Sequence, residues 1–195
     1  NVSPMEFIAV AERKGLIEKL GDVVLEKVCK FISENKNIVN AVSVNFSVYQ
    51  ISSPHIADKI LKLIEKYKIL PSNIIIEITE SVFIENFAII NRNIEALTSA
   101  GVKFYLDDFG TGYSNLTNVV TLPFSTVKMD RSLVLMMEKN SRSCRLIKNL
   151  VSTFKDSKNV DGLGKIHDLK NVPVQKMCSQ QRTLFLDLIK SKVQK

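Results

Sequence analysis

Segments 41–47, 74–79, 102–107 and 126–130 carry apolar side chains at alternate positions, and a helix-compatible stretch separates each from the next. Such alternation suits a half-buried strand, because successive side chains leave a strand on opposite faces. Strands that alternate with helices predict a parallel sheet, either open and doubly wound or closed as a barrel. The first helix is announced by Ser3, Pro4 and Glu6, a cap residue, a proline at the first helical position and an acid in the first turn. It carries Phe7, Ile8 and Val10 and is expected to break at Gly15. A second helix is expected through Val24, Leu25, Val28 and Phe31, with that stripe turned inward. Further helices are expected over 54–68, 87–99 and 116–120.

The polar residues of the strands are not scattered. Asn45 and Ser47 share a face, as do Glu77 and Thr79, then Lys103, Tyr105 and Asp107, then Thr126, Lys128 and Asp130. In an α/β barrel the inward residues line the interior, and its C-terminal mouth holds the active site. Asn45, Glu77 and Asp107 fall at or near the C-terminal ends of their strands. Several carboxylates and an ammonium aimed into one mouth require compensation, since unpaired buried charge is costly. A divalent cation supplies it. The Asn45 amide oxygen and the carboxylates of Glu77, Asp107 and Asp108, the last read as lying on the loop after its strand, form a hard oxygen set. That set suits Mg2+ or Mn2+ better than zinc. Such ions polarise phosphoryl oxygens and activate water, and Lys128 adds positive charge for a phosphate or for that water. Gly110 and Gly112 suit a tight loop over the mouth.

Each element also has a plainer reading. Paired acids such as Asp107 and Asp108 more often cap a turn than bind metal. Glu77 and Glu80 also fit surface ion pairs, and Lys128 fits a strand-end charge reaching water. Lys103 and Tyr105 read as barrel filling, and His55 and His167 as surface residues. The substrate-binding residues are left unknown.

At 195 residues the chain is expected to form one domain. Its net charge of +7 is interleaved with acids, as from Lys59 through Lys62 and Glu65 to Lys66, so a nucleic-acid polymer is not an expected partner. The charge instead suits attraction of a small anion. Cys29, Cys144 and Cys178 match no metal-ligand spacing and are expected to be reduced. No apolar run approaches the roughly 20 residues of a membrane span. A cytoplasmic protein, or the cytoplasmic part of a membrane-anchored parent, is expected. Because Asn1 stands where a Met would open a chain, the true start is expected upstream.

Five runs then carry a resemblance. They are Ser3 to Ile17, Val44-Asn45-Phe46-Ser47, Glu77-Ile78-Thr79-Glu80-Ser81, Asp107-Asp108-Phe109-Gly110-Thr111-Gly112 continuing to Leu116, and Val127-Lys128-Met129-Asp130-Arg131-Ser132. In order and spacing the chain resembles EAL domains over about residues 1–155. The resemblance implies a modified (β/α)8 TIM-like barrel with one antiparallel strand. It also implies an enzyme class, phosphodiesterases that linearise cyclic di-GMP to 5′-pGpG with Mg2+ or Mn2+. By the same resemblance Asn45, Glu77 and Asp107 are metal ligands, Asp108 is a ligand of a second metal, and Lys128 lies near the catalytic water. Glu80 would anchor the loop over 108–112, which also contributes to homodimer contacts. A sensory or diguanylate cyclase domain would precede the chain in a longer parent.

The departures shape the expectation as much. The Glu-Ala-Leu motif belongs on a strand upstream of Asn1 and is not in this chain. The later Ala-Glu-Gly-Val-Glu and Gln-Gly motifs are missing too, and no glutamate follows Glu138. Residues 1–155 are therefore expected to form an incomplete barrel, with its first and last strands missing or degenerate. Residues 156–195 are expected to form a divergent or frameshifted tail with a helix over 183–193. Hydrolysis is expected to be impaired, the alternative being a catalytically silent module that binds cyclic di-GMP or a protein in signalling.

Overall fold

The computed structural model describes residues 4–84, 87–111, 116–130, 132–133, 135–136 and 141–156. The tail after residue 156, with the helix expected over 183–193, His167 and Cys178, lies outside the described residues. The order is α1 (Pro4–Arg13), α2 (Ile17–Glu34), β1 (Val42–Asn45), α3 (Val48–Ile51), α4 (Ile56–Tyr67), β2 (Ile74–Thr79), α5 (Phe87–Ser99), β3 (Lys103–Phe109), α6 (Leu116–Thr121), β4 (Thr126–Met129) and α7 (Ser141–Asp156). Among these residues no helix is long and apolar enough to cross a membrane.

Local chemistry fixes the boundaries. Gly15, at φ 64°, separates α1 from α2 in the left-handed region that costs a glycine least. Pro71 opens the short 3-10 turn Pro71–Asn73, and Asn73 Oδ1 accepts the Leu70 amide at 2.9 Å, delivering the chain into β2. The four strands lie in the order β1-β2-β3-β4, all parallel, as the alternation predicts. Val44, Ile76, Ile78, Phe104, Leu106 and Val127 point to one face and join a single core with Ile60 and Ile64 of α4 and Ile90, Ile94 and Leu97 of α5. Burying each such side chain fully contributes about 1.5–3 kcal/mol.

Three expectations need correcting. Val24 and Phe31 do not face inward; they are 37 % and 49 % exposed, and the buried stripe of α2 is Ile17, Gly21, Leu25, Cys29 and Ile32. Apolar residues lie on more than one face of this helix, and the i, i+4 row that meets α4 wins. Asp108 is not on a loop, because β3 continues to Phe109. It does so through an irregularity between Leu106 and Phe109, with Asp108 at φ 53°. Finally, the strand expected over 41–47 ends at Asn45, because Ser47 turns the chain into the short helix α3.

Candidate active site

The face of the sheet opposite the core carries the polar residues. Register places Asn45 beside Glu77, and Thr79 beside Asp107, on neighbouring strands. Lys128 of β4 then reaches across β3: its Nζ donates to Glu77 Oε2 at 2.5 Å and to Asp107 Oδ2 at 3.3 Å. The ammonium thus bridges two carboxylates from two different strands. All three are sheltered, with Glu77 only 8 % exposed. Burial alone pulls the Lys128 ammonium down, but the Glu77 hydrogen bond and the charges of Asp107 and Glu77 outweigh it and leave the group above its usual range. Lys128 is therefore firmly cationic.

Asp108 shifts upward as well, but for an acid that disfavours the charged form. Burial, then the negative charges of Asp107 and Asp130, raise its carboxyl above the ordinary range, with Lys128 opposing. A carboxylate destabilised by like charges is one that a cation would stabilise. The adjacent backbone is also tied, as the Asp108 amide donates to Asp107 Oδ1 at 3.0 Å. The turn that follows is held by Glu80, 1 % exposed, whose Oε1 accepts the Gly110 amide at 2.6 Å. Gly110 sits at φ 104°, with Leu133 so close that a Cβ there would overlap it.

Oxygen donors of the kind that suits Mg2+ or Mn2+ are thus present on the polar face. Among the described residues, however, no group of three His, Cys, Asp or Glu side chains converges to hold a metal ion. Glu77 and Asp107 meet on Lys128. The donor chemistry, carboxylates and an amide oxygen on one face, is the hard-oxygen kind that a divalent cation takes.

Of the remaining residues, Lys103 is exposed and Tyr105 half-buried on this face, and His55 is exposed just ahead of α4. Thr79 and Ser81 share a hydroxyl hydrogen bond of 2.7 Å at the strand end. A cavity of about 540 Å³ opens beside Asn45, lined by Phe7, Ile17 and Val24 on one side and Ser47, Tyr49 and Thr79 on the other. Two buried amides escaped the sequence reading, Gln50 and Asn93. For Gln50 a signal existed: a glutamine three residues after Ser47 is a helix-capping pattern. Asn93 lies in mid-helix and offers no comparable mark.

The EAL domain family model matches residues 1–158. A cyclic di-GMP phosphodiesterase, PdeR of Escherichia coli strain K12, is 31% identical over 153 residues, covering 77% of this chain and 23% of its own length. The cyclic di-GMP phosphodiesterase PdeA of Borreliella burgdorferi is 34% identical over 126 residues, 65% of this chain and 19% of that protein. The chain therefore spans only about a fifth of the curated relatives it matches. Among solved structures, the PaMucR phosphodiesterase in complex with c-di-GMP superposes with a TM-score of 0.74 at 25% identity, covering 96% of this chain and 73% of that one.

Proposed function

Since the chain belongs to the EAL domain family, we propose that it recognises cyclic di-GMP and linearises it to 5′-pGpG at the polar face of its sheet, in a metal-dependent reaction slowed by the departures in its sequence. The observation that carries the reading is the meeting of Lys128 with Glu77 and Asp107 on the face where Asn45 also ends its strand.

In this reading Asn45, Glu77, Asp107 and Asp108 hold Mg2+ or Mn2+, which when bound supplies a Lewis acid for the phosphodiester and an acidified water. Lys128 holds the two carboxylates apart from bulk water and offers its ammonium to the attacking water or to a phosphate oxygen. Its ammonium, hydrogen-bonded to Glu77 and Asp107, supplies positive charge at the site. Glu80 keeps the turn after Asp108 in place through the Gly110 amide, and with it the backbone of Asp108. That turn is also the surface through which we place a homodimer, and the site of action is the cytoplasm.

A specific observation also favours a silent binding module: among the described residues no third acid joins Glu77 and Asp107. Incubation with cyclic di-GMP and Mn2+ separates the two. Linear product that disappears in Asp107→Asn supports hydrolysis, heat of binding without product supports the module, and neither from folded protein overturns both.

A further inference from the structure

We infer that Gln50 is a positioning residue for Asn45, a role that rests on the proposed function only in making Asn45 a cation ligand. β1 ends at Asn45, and the ladder continues for one more bond, Phe46 N–H to Glu77 O at 2.8 Å. The next amide, of Ser47, has left the sheet and donates to Gln50 Oε1 at 3.0 Å. Asn45 therefore projects from a backbone fixed on its C-terminal side by one strand bond and one side-chain bond.

Gln50 can hold that bond because it is itself confined. It is 6 % exposed, and its amide rests against Gly21 of α2, where even a methyl group would overlap it. The four-residue helix α3 that carries Gln50 is too short to be stable by itself. Its far end is secured by Asn93 of α5, whose Nδ2 donates to Ile51 O at 2.8 Å and Ser53 O at 3.0 Å. Two buried amides, one from within α3 and one from α5, thus fix both ends of the turn that follows Asn45. Losing Gln50 would leave the Ser47 amide without its acceptor and release the turn on the side nearer Asn45.

The test uses the full chain and two routes to one lesion. Gln50→Ala removes the acceptor. Gly21→Ala leaves Gln50 intact but pushes its amide aside. Val119→Ala, a core cavity in α6, serves as a control chosen for equal loss of thermal stability. Without metal, amide exchange at Phe46 and Ser47 and the Asn45 side-chain resonance should change in both variants and not in the control. With Mn2+, both variants should bind about tenfold more weakly, the size expected when a residue that orients a ligand is lost. The double variant should be no worse than Gln50→Ala, because Gly21 acts through Gln50. If Ser47 exchange and the Asn45 resonance are unchanged, or change equally in the control, the inference is overturned. If the parent chain binds no Mn2+, the proposed function fails while the exchange data still decide the role of Gln50.

Discussion

Lys128 and Glu77 meet at 2.5 Å although they lie on β4 and β2, with β3 between them. Strands one apart in a sheet are separated by about 4.8 Å and strands two apart by about twice that, so only a side chain as long as lysine spans the gap. The ion pair also touches Asp107 at 3.3 Å and so ties three strands at the polar face.

Removing the ammonium strands a carboxylate that is only 8 % exposed. Lys128→Met should destabilise the chain by about 2–4 kcal/mol, somewhat below the usual cost of breaking a fully buried pair. Adding Glu77→Gln should recover most of the loss. Urea titration of the two variants checks this, and Mn2+ should stabilise Lys128→Met more than the parent, because the ion takes over the missing charge.

Asp107 and Lys103 share a strand face, but Lys103 sits exposed at the other end of β3. Asp107→Asn should weaken Mn2+ binding by at least about tenfold, whereas Lys103→Gln should change it less than about twofold. Calorimetry decides between them, and equal effects would remove the support that strand parity gives to the site.

Glu80 and Gly110 form a second, partly buried contact whose loss should be visible locally. Glu80→Gln replaces the carboxyl acceptor by an amide oxygen, so the Gly110 amide should exchange about tenfold faster for a weakening near 1.4 kcal/mol. Gly110→Ala should cost more than about 1 kcal/mol, because it combines an unfavourable positive φ with overlap on Leu133. Gly110 exchange in Glu80→Gln that matches the parent would show that the turn has another anchor.

Stability should also fall at alkaline pH. Burial first, and the negative Glu26 second, push the Cys29 thiol from its ordinary 9.0 up to about 11. Between those values the unfolded chain has lost a proton that the folded chain keeps. Stability from this group is therefore complete below pH 9 and declines as pH rises toward 11, by roughly 3 kcal/mol in all. Cys29→Ala should be less stable at neutral pH yet show a shallower decline through that window, as chemical denaturation at a series of pH values would reveal.

Strand parity was legible because period-two alternation leaves little freedom once one face is buried. Val44, Ile76, Phe104 and Val127 went to the core and Asn45 and Lys128 to the opposite face, as their spacing requires. The helix α2 was harder, since Val24 and Phe31 compete with Leu25 and Cys29 for the inward face and only tertiary packing chooses. The continuation of β3 through Asp108 depends on a positive φ that no aspartate advertises. The cap that Gln50 makes on Ser47 is local, but its confinement against Gly21, and the hold of Asn93 on the carbonyls of Ile51 and Ser53, join distant elements, which sequence distance conceals.

The order of the strands bears on how the chain comes into being. Each strand pairs with the one made just before it, as Val42 with Ile74, Ile75 with Lys103 and Tyr105 with Thr126, so among the described strands every docking step closes a loop of roughly 20–30 residues. On a ribosome the sheet can therefore grow in the direction of synthesis, one strand and helix at a time. The cross-strand clasp of Lys128 on Glu77 and Asp107 can form only when β4 arrives, which makes it a late lock on an assembly already laid down in sequence.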